Sequence, residues 1–297
     1  MLHNPVLLEE SLAYLLSDLS GAYLDLTFGR GSHSLAILSA LSQQGELIAI
    51  DQDIEAVEYG RTHITDKRFS ILHGNYSEAE SLIPSKKFNG VLFDLGTCST
   101  HLDNSSRGFS FQSNGPLDMR MNNTQGLSAS DWLNHAPETE ISEVLYRYGN
   151  EKASRKIAKA IIEARNKTLL KTTFDLVRVI ESILYRTGRT HPATKTFQAI
   201  RIHINDELHH LESALASVKN LLTPKGIVAI ISFHSLEDRI VKNFFKPDVS
   251  FFPKDIPLNI SVSETFKCIA KKIKPSHEEV QKNPRSRSAV MRVFQKI

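Results

Sequence analysis

Cysteine is nearly absent, with only Cys98 and Cys268 in 297 residues, far apart and in no metal-ligand spacing. That argues for a reducing compartment and against a zinc site, so no metal is expected. No apolar run approaches membrane-spanning length, and the N-terminus lacks the apolar core of a signal peptide. The expected location is the cytoplasm, with no membrane partner. Net charge is small as well: 36 basic and 33 acidic residues leave +3, which by itself decides nothing. Hydrophobic content of 41% and charged content of 23% are those of an ordinary globular protein. The length allows one large domain or two medium ones around packed cores.

The distribution of charge says more than its sum. Residues 267–297 hold nine Lys or Arg against Glu278 and Glu279, which leaves a net −4 on the rest of the chain. A concentrated basic tail suits contacts with phosphates.

From Leu24 to Gly96 the chain alternates short apolar runs with helical stretches. The runs Tyr23–Leu26, Leu47–Ile50, Phe69–Leu72 and Val91–Leu95 read as strands. Between them Ser34–Leu41, Ile54–Thr62 and Ser77–Ile83 read as helices. This is the grammar of a parallel sheet buried on both faces. After Leu95 the alternation stops. Asp103–Asn123 reads as loop, and from Ser128 to Asn205 the periodicity is helical, starting with a capped turn at Ser128. A helix over Asp206–Leu222 follows, closed by a turn at Thr223-Pro224-Lys225-Gly226. Strand grammar then returns with Ile227–Ser232 and a final β pair, Phe266–Ala270 and Ala289–Phe294. The expected organisation is a discontinuous α/β domain from residues 1–104 and 206–297, interrupted by a helical insertion over 105–205.

The first strand runs into Asp25-Leu26-Thr27-Phe28-Gly29-Arg30-Gly31-Ser32-His33-Ser34. A glycine turn between a strand and a helix lets backbone N–H groups approach a ligand closely. Asp51, at the tip of the next strand, suits a pair of ribose hydroxyls. A dinucleotide fingerprint needs a third glycine, where Ser34 stands, and Asp25 is unwelcome beside a pyrophosphate. S-adenosylmethionine has no phosphate and carries a sulfonium, which makes it the favoured cofactor over a nicotinamide. In such sheets ligands sit at the carboxyl ends of strands, where Asp25, Asp51 and Asp94 all fall. His33 and the N–H groups of Gly31 and Ser32 are expected to face the amino-acid part of the donor. Tyr76 is placed to pack on the adenine, and Asp94 sits where the methyl group emerges.

Six motifs then carry a resemblance. They are His3-Asn4-Pro5-Val6-Leu7-Leu8-Glu9-Glu10, Asp25–Gly31, Arg107–Phe111 with Gly115–Met121, His191–Gln198, Ser232–Arg239 and Asn283–Ser288. Together they resemble the RsmH (MraW) family of bacterial small-subunit ribosomal RNA (cytosine-N4)-methyltransferases, in the family's order and across nearly the whole chain. The resemblance implies a Rossmann-like class I S-adenosylmethionine-dependent methyltransferase with an inserted α-helical domain, acting on a cytidine in the decoding region of 16S ribosomal RNA. Carried over by position, cofactor contacts fall on Gly31, Ser32, His33, Asp51, Tyr76, Asp94 and His101. Two positions depart from the family pattern: Gly-Gly-His becomes Gly31-Ser32-His33, and a glutamine becomes His101.

The chemistry can be argued from the residues as well. The N4 amine of cytosine is a poor nucleophile because its lone pair is delocalised into the ring. An acceptor such as Asp94 localises that pair and stabilises the charge that develops on nitrogen. No Pro-Pro pair occurs, which disfavours the DNA-type amine methylators. Ser232 and His234 are candidates for handling the base. Arg107, Arg120, Lys195, Arg201, Arg239, Arg285 and Arg287 lie in polar, turn-rich motifs and are the expected RNA contacts, with Phe109 and Phe111 available for stacking. The expected partner is 16S ribosomal RNA or the small ribosomal subunit, with a homodimer possible. A nicotinamide-dependent oxidoreductase and a non-catalytic RNA-binding protein stand as rival readings.

Overall fold

A computed structural model describes residues 5–185, 191–246 and 265–297. Contacts divide the chain into two compact units, Met1–Gly96 with Leu208–Ile297, and Thr97–Glu207. His3 and Asn4 of the opening motif lie outside the described residues.

The first unit begins with α1 (Leu8–Leu15), β1 (Ala22–Asp25), α2 (Ser32–Ala40), β2 (Glu46–Asp51), α3 (Ile54–His63) and β3 (Phe69–His73). A 3-10 turn at Tyr76–Glu78 leads into α4 (Ala79–Leu82) and β4 (Phe88–Asp94). The second unit contains α5 (Ser99–Asp103), α6 (Ala129–His135), α7 (Glu138–Gly149), α8 (Ser154–Arg165), α9 (Thr173–Ile183) and α10 (Ala193–Ile204). The chain returns through α11 (Glu207–Leu221) to β5 (Leu222–Ser232), α12 (Ser235–Phe244), β6 (Phe266–Ile273), α13 (His277–Lys282) and β7 (Val290–Lys296).

Seven strands form one sheet in the order β3-β2-β1-β4-β5-β7-β6. The first five in that order are parallel, while β7 runs antiparallel to both β5 and β6. This is the architecture of a class I methyltransferase. Successive residues point to opposite faces of a strand, so each buried strand serves two cores. Tyr23, Leu47, Ala49 and Met291 enter the core that takes in α2 and α3 residues Ile37, Leu38 and Val57. Leu24, Ile48, Ile50 and Phe93 enter the other, against Leu211, Leu215 and Val218 of α11.

Strand expectations hold to within a few residues. The closing turn after α11 does not: Thr223–Gly226 lies inside β5. Leu222 pairs with Phe88, the register shifts before Gly90 meets Ile227, and Lys225 takes a left-handed backbone with φ 63°. The extra residues are a bulge absorbed by the strand, held by the Thr223 hydroxyl donating to the Phe88 carbonyl at 3.2 Å.

The helical unit has its own core, built on Trp132, Leu133, Ile141, Leu145, Ile157, Ile161, Leu176, Ile180 and Phe197. Two of its helices open with reciprocal caps. The Ser128 hydroxyl accepts from the Asp131 N–H while Asp131 accepts from the Ser128 N–H, and Thr172 and Asp175 repeat the arrangement. The α7 and α10 backbones come close because Gly149 has no side chain: a Cβ there would lie 2.7 Å from the Lys195 carbonyl oxygen. The stretch 103–123, expected as loop, is mostly irregular and carries a 3-10 turn at Ser105–Arg107.

Candidate functional site

The carboxyl end of the sheet gathers the acids. Asp25 pairs in register with Ala49 of β2 and Leu92 of β4, so Asp51 and Asp94 stand two residues further along the flanking strands. The chain leaving β1 runs between them and is braced on both sides. The Gly29 N–H donates to Asp51 Oδ2 at 2.7 Å, and the Asp94 N–H donates to the Thr27 hydroxyl at 2.6 Å. Gly29 and Gly31 have φ of 56° and 75°, and a Cβ on Gly31 would meet the Phe28 ring at 2.7 Å. Glycine is therefore needed at 31 for both conformation and space. Ser32 is the first residue of α2 and is not among the left-handed positions, so the departure from Gly-Gly-His leaves the backbone unstrained.

Asp25 is 1% exposed and lies beneath the turn. It accepts from the Ser34 hydroxyl at 2.7 Å and the Thr27 N–H at 3.1 Å. Ser34, standing where a dinucleotide fingerprint has glycine, thus ties α2 to the end of β1. Burial pushes the Asp25 carboxyl up to about 6, against the lowering effect of those two hydrogen bonds, with the nearby Asp51 charge adding to the rise. This acid braces the turn from inside and does not line a surface, contrary to its expected place among ligand-facing acids. Asp51 is half-buried, and its Oδ1 also accepts the Asp53 N–H at 2.8 Å. Tyr76, half-buried just after β3, meets Phe93 edge-on at 6.1 Å.

Asp94 is the most unusual group. Its side chain keeps 25% exposure, but Oδ1 is buried and has no hydrogen-bond partner among the described residues. Burial first, then the charges of Asp25 and Glu237, raise its carboxyl well above the ordinary carboxylate range. His33, 6% exposed, approaches it with Nδ1 3.5 Å from Asp94 Oδ2.

At the end of β5, Ser232 is 2% exposed and in register with Val290. His234 opens α12 by accepting the Glu237 N–H at Nδ1, 3.4 Å away. Glu237 Oε2 accepts the N–H groups of Phe233 at 2.8 Å and His234 at 3.2 Å. Glu237 is 3% exposed and was not singled out from the sequence. Its position three residues past a cap residue was the available signal. Arg239 is exposed on α12, and Arg285 and Arg287 are exposed on either side of buried Ser286.

In the helical unit the expected RNA contacts divide. Arg107 is 5% exposed, and its guanidinium donates to the carbonyl oxygens of Arg120 at 3.1 Å and Met121 at 2.8 Å. These two bonds hold that loop together. Arg120 forms a two-pronged pair with Asp118 at 2.8 and 2.7 Å, and Arg201 with Glu207 at 2.7 and 2.8 Å. Lys195 is exposed, 3.3 Å from the Asn150 carbonyl oxygen. Lys195 and Arg201 lie on α10 and not in a turn. His101 is 4% exposed and stacks on Phe109 at 4.8 Å, while Phe111 stacks on His191 at 4.6 Å. Both phenylalanines are thus engaged in packing.

A model of the MraW methylase family matches residues 1–297. The chain belongs to the MraW methylase family. Three relatives share the name ribosomal RNA small subunit methyltransferase H. The protein of Buchnera aphidicola subsp. Cinara cedri is 46% identical over 308 residues, covering 100% of both chains. That of Hydrogenovibrio crunogenus is 46% identical over 304 residues, covering 99% of this chain and 96% of its own. That of Nitrosomonas europaea is 44% identical over 310 residues, covering 100% and 98%.

Proposed function

We propose that this MraW-family methylase transfers the methyl group of S-adenosylmethionine to the N4 amine of a cytidine in the decoding region of 16S ribosomal RNA. The observation that carries the reading is the buried Oδ1 of Asp94 at the carboxyl end of β4, an acceptor with no hydrogen-bond partner among the described residues. The donor fits the residues present: a glycine turn closed to side chains, Asp51 for ribose hydroxyls, and a concentration of acids that favours a cation over a pyrophosphate. When bound, S-adenosylmethionine supplies an electrophilic methyl on a sulfonium, whose sulfur leaves with the C–S electron pair.

In this reading Gly31, Ser32 and His33 face the amino-acid end of the donor, Asp51 its ribose and Tyr76 its adenine. Asp94 accepts from the target amine. His101 is proposed as a donor contact on the family pattern. Ser232 is held in the ladder and His234 in its cap, which suits them to shape the base pocket. The exposed cations Arg239, Arg285, Arg287 and Lys195 are proposed to meet phosphates. Arg120 and Arg201 keep their acid partners and would tune the surface. The helical unit contributes to RNA recognition, and the enzyme acts in the cytoplasm. No helix among the described residues is long and apolar enough to cross a membrane.

Mass spectrometry of 16S ribosomal RNA tests this. Cells lacking the gene should lack one N4 methyl mark, the wild-type chain should restore it, and Asp94→Ala should not. Restoration by Asp94→Ala would favour a non-catalytic RNA-binding role. Tight binding of NADH in place of S-adenosylmethionine would favour the oxidoreductase.

A further inference from the structure

Residues of α7 and of the start of α8 line a cavity of about 950 Å³ that the reading above leaves unused. That volume is in the range of ligand sites, about 300–1,000 Å³. The chain enters it through a tight turn. Asn150 ends α7 with a left-handed backbone, φ 47°, and Glu151, 7% exposed, folds inward so that Oε1 accepts the Ala153 N–H at 2.9 Å. Ile157, Ala158 and Ile161 then take the inner face of α8 into the core. The helical period leaves Lys152, Arg155, Lys156 and Lys159 exposed. From Lys152 to Lys159 the chain carries four positive charges and no negative one. Lys159 approaches Glu163 at 3.9 Å, while Lys152, Arg155 and Lys156 have no ion pair among the described residues.

The α7 side of the cavity is different in kind. Tyr146 is 63% exposed, an unusual place for so large a ring. Ser142 and Glu138 add a hydroxyl and a carboxylate, and the charge of Glu143 is answered by an ion pair with Arg147. One wall therefore suits an anion, and the other suits a flat ring that bears amino groups. An acidic peptide would satisfy the cations but would meet Glu138 with a like charge. A nucleotide carries both complements in one unit, a phosphate and a base. Resting on the reading of this chain as a 16S ribosomal RNA methyltransferase, we propose that this face of α7 and α8 is a docking surface for single-stranded RNA. Lys152, Arg155 and Lys156 meet successive phosphates, and a base stacks on Tyr146 with its polar edge toward Ser142 and Glu138.

Titrations of the full chain with protein-free 16S ribosomal RNA over a range of salt test this. Joint substitution of Lys152→Gln, Arg155→Gln and Lys156→Gln should lower the log–log salt slope by about two and weaken binding about 10- to 100-fold, with S-adenosylmethionine affinity within about twofold of wild type. Tyr146→Ala should weaken RNA binding about 5- to 50-fold at an unchanged slope, and Tyr146→Phe should restore it. The first turn of α8 has no acid, and cations are disfavoured at the start of a helix, so the triple variant should melt at or above the wild-type temperature. An unchanged salt slope, an RNA affinity indifferent to Tyr146→Ala, or a lower melting temperature in the triple variant each overturns the docking surface. Normal binding to protein-free RNA with weakened binding to small ribosomal subunits also overturns it, and gives the face to a ribosomal protein. Failure of the wild-type chain to bind S-adenosylmethionine would instead overturn the reading on which the proposal rests.

Discussion

Asp25→Asn should make this protein more stable at pH 8 while leaving its stability at pH 4 nearly unchanged. The folded carboxyl titrates at about 6 against 3.8 for the ordinary group, so the folded state holds this proton more tightly than the unfolded chain. The stability it contributes is therefore fully present below about pH 4 and is lost as pH rises through about 6. A gap of about 2 between the two pKa values corresponds to about 3 kcal/mol. The asparagine can still accept from the Thr27 N–H, and the Ser34 hydroxyl can turn to accept from the new amide. Exchanging a charge-assisted bond for a neutral one returns about 1 kcal/mol of that. The expected net gain is about 2 kcal/mol at pH 8 and under about 1 kcal/mol at pH 4. Urea unfolding at both pH values, with an unchanged slope, measures it. An asparagine variant that is less stable than wild type at pH 8 would mean that the turn requires the ionised carboxylate, and the burial argument would be wrong.

Gly149→Ala should destabilise by about 1–3 kcal/mol despite the better helix propensity of alanine, because the new Cβ meets a backbone carbonyl 2.7 Å away that has no room to yield. Thermal unfolding reads this. Ser32→Gly should cost about 0.5–1 kcal/mol by loosening the first turn of α2 while methyl transfer persists, since Ser32 already has an unstrained backbone; a gain in stability would contradict it. Reversing Arg285 and Arg287 to glutamate should reduce the salt dependence of RNA binding by about two in log–log slope and leave donor affinity within about twofold. An equal loss of both affinities would refute the assignment of these two exposed arginines to the RNA.

What was legible in the sequence followed from period and punctuation. The β1, β2 and β4 runs stood out because strands buried on both faces are continuous in apolar residues, and each ends where an acid breaks the run. Ser128 announced α6 because a hydroxyl three residues ahead of an acid is a cap with a mechanism. The bulge in β5 was hidden, because Thr-Pro-Lys-Gly is turn chemistry and only the pairing of Leu222 with Phe88 draws it into the sheet. The burial of Arg107 was hidden for a similar reason. Its polarity and setting suggested a surface, but two carbonyls left over by an irregular loop took its guanidinium inward. Asp25 and Asp94 end neighbouring strands in the same way. Only the register, two residues apart, separates the acid under the turn from the acid beside it.

That difference in register also bears on what the site will hold. The charges of Asp25 and Glu237 each raise the cost of ionising Asp94, and that of Asp51 raises the cost of ionising Asp25. A fold selected only for stability would replace such a cluster with neutral groups, as the expected gain from Asp25→Asn illustrates. A pyrophosphate would compound the repulsion. A sulfonium relieves it, because a bound cation favours the ionised form of every acid around it. The cluster is therefore better matched to a positively charged donor than to a dinucleotide, and removing one acid should weaken S-adenosylmethionine more than its neutral analogue S-adenosylhomocysteine. Equal weakening of both ligands in calorimetric titrations of Asp25→Asn would show that the acids shape the turn without sensing the charge of what it holds.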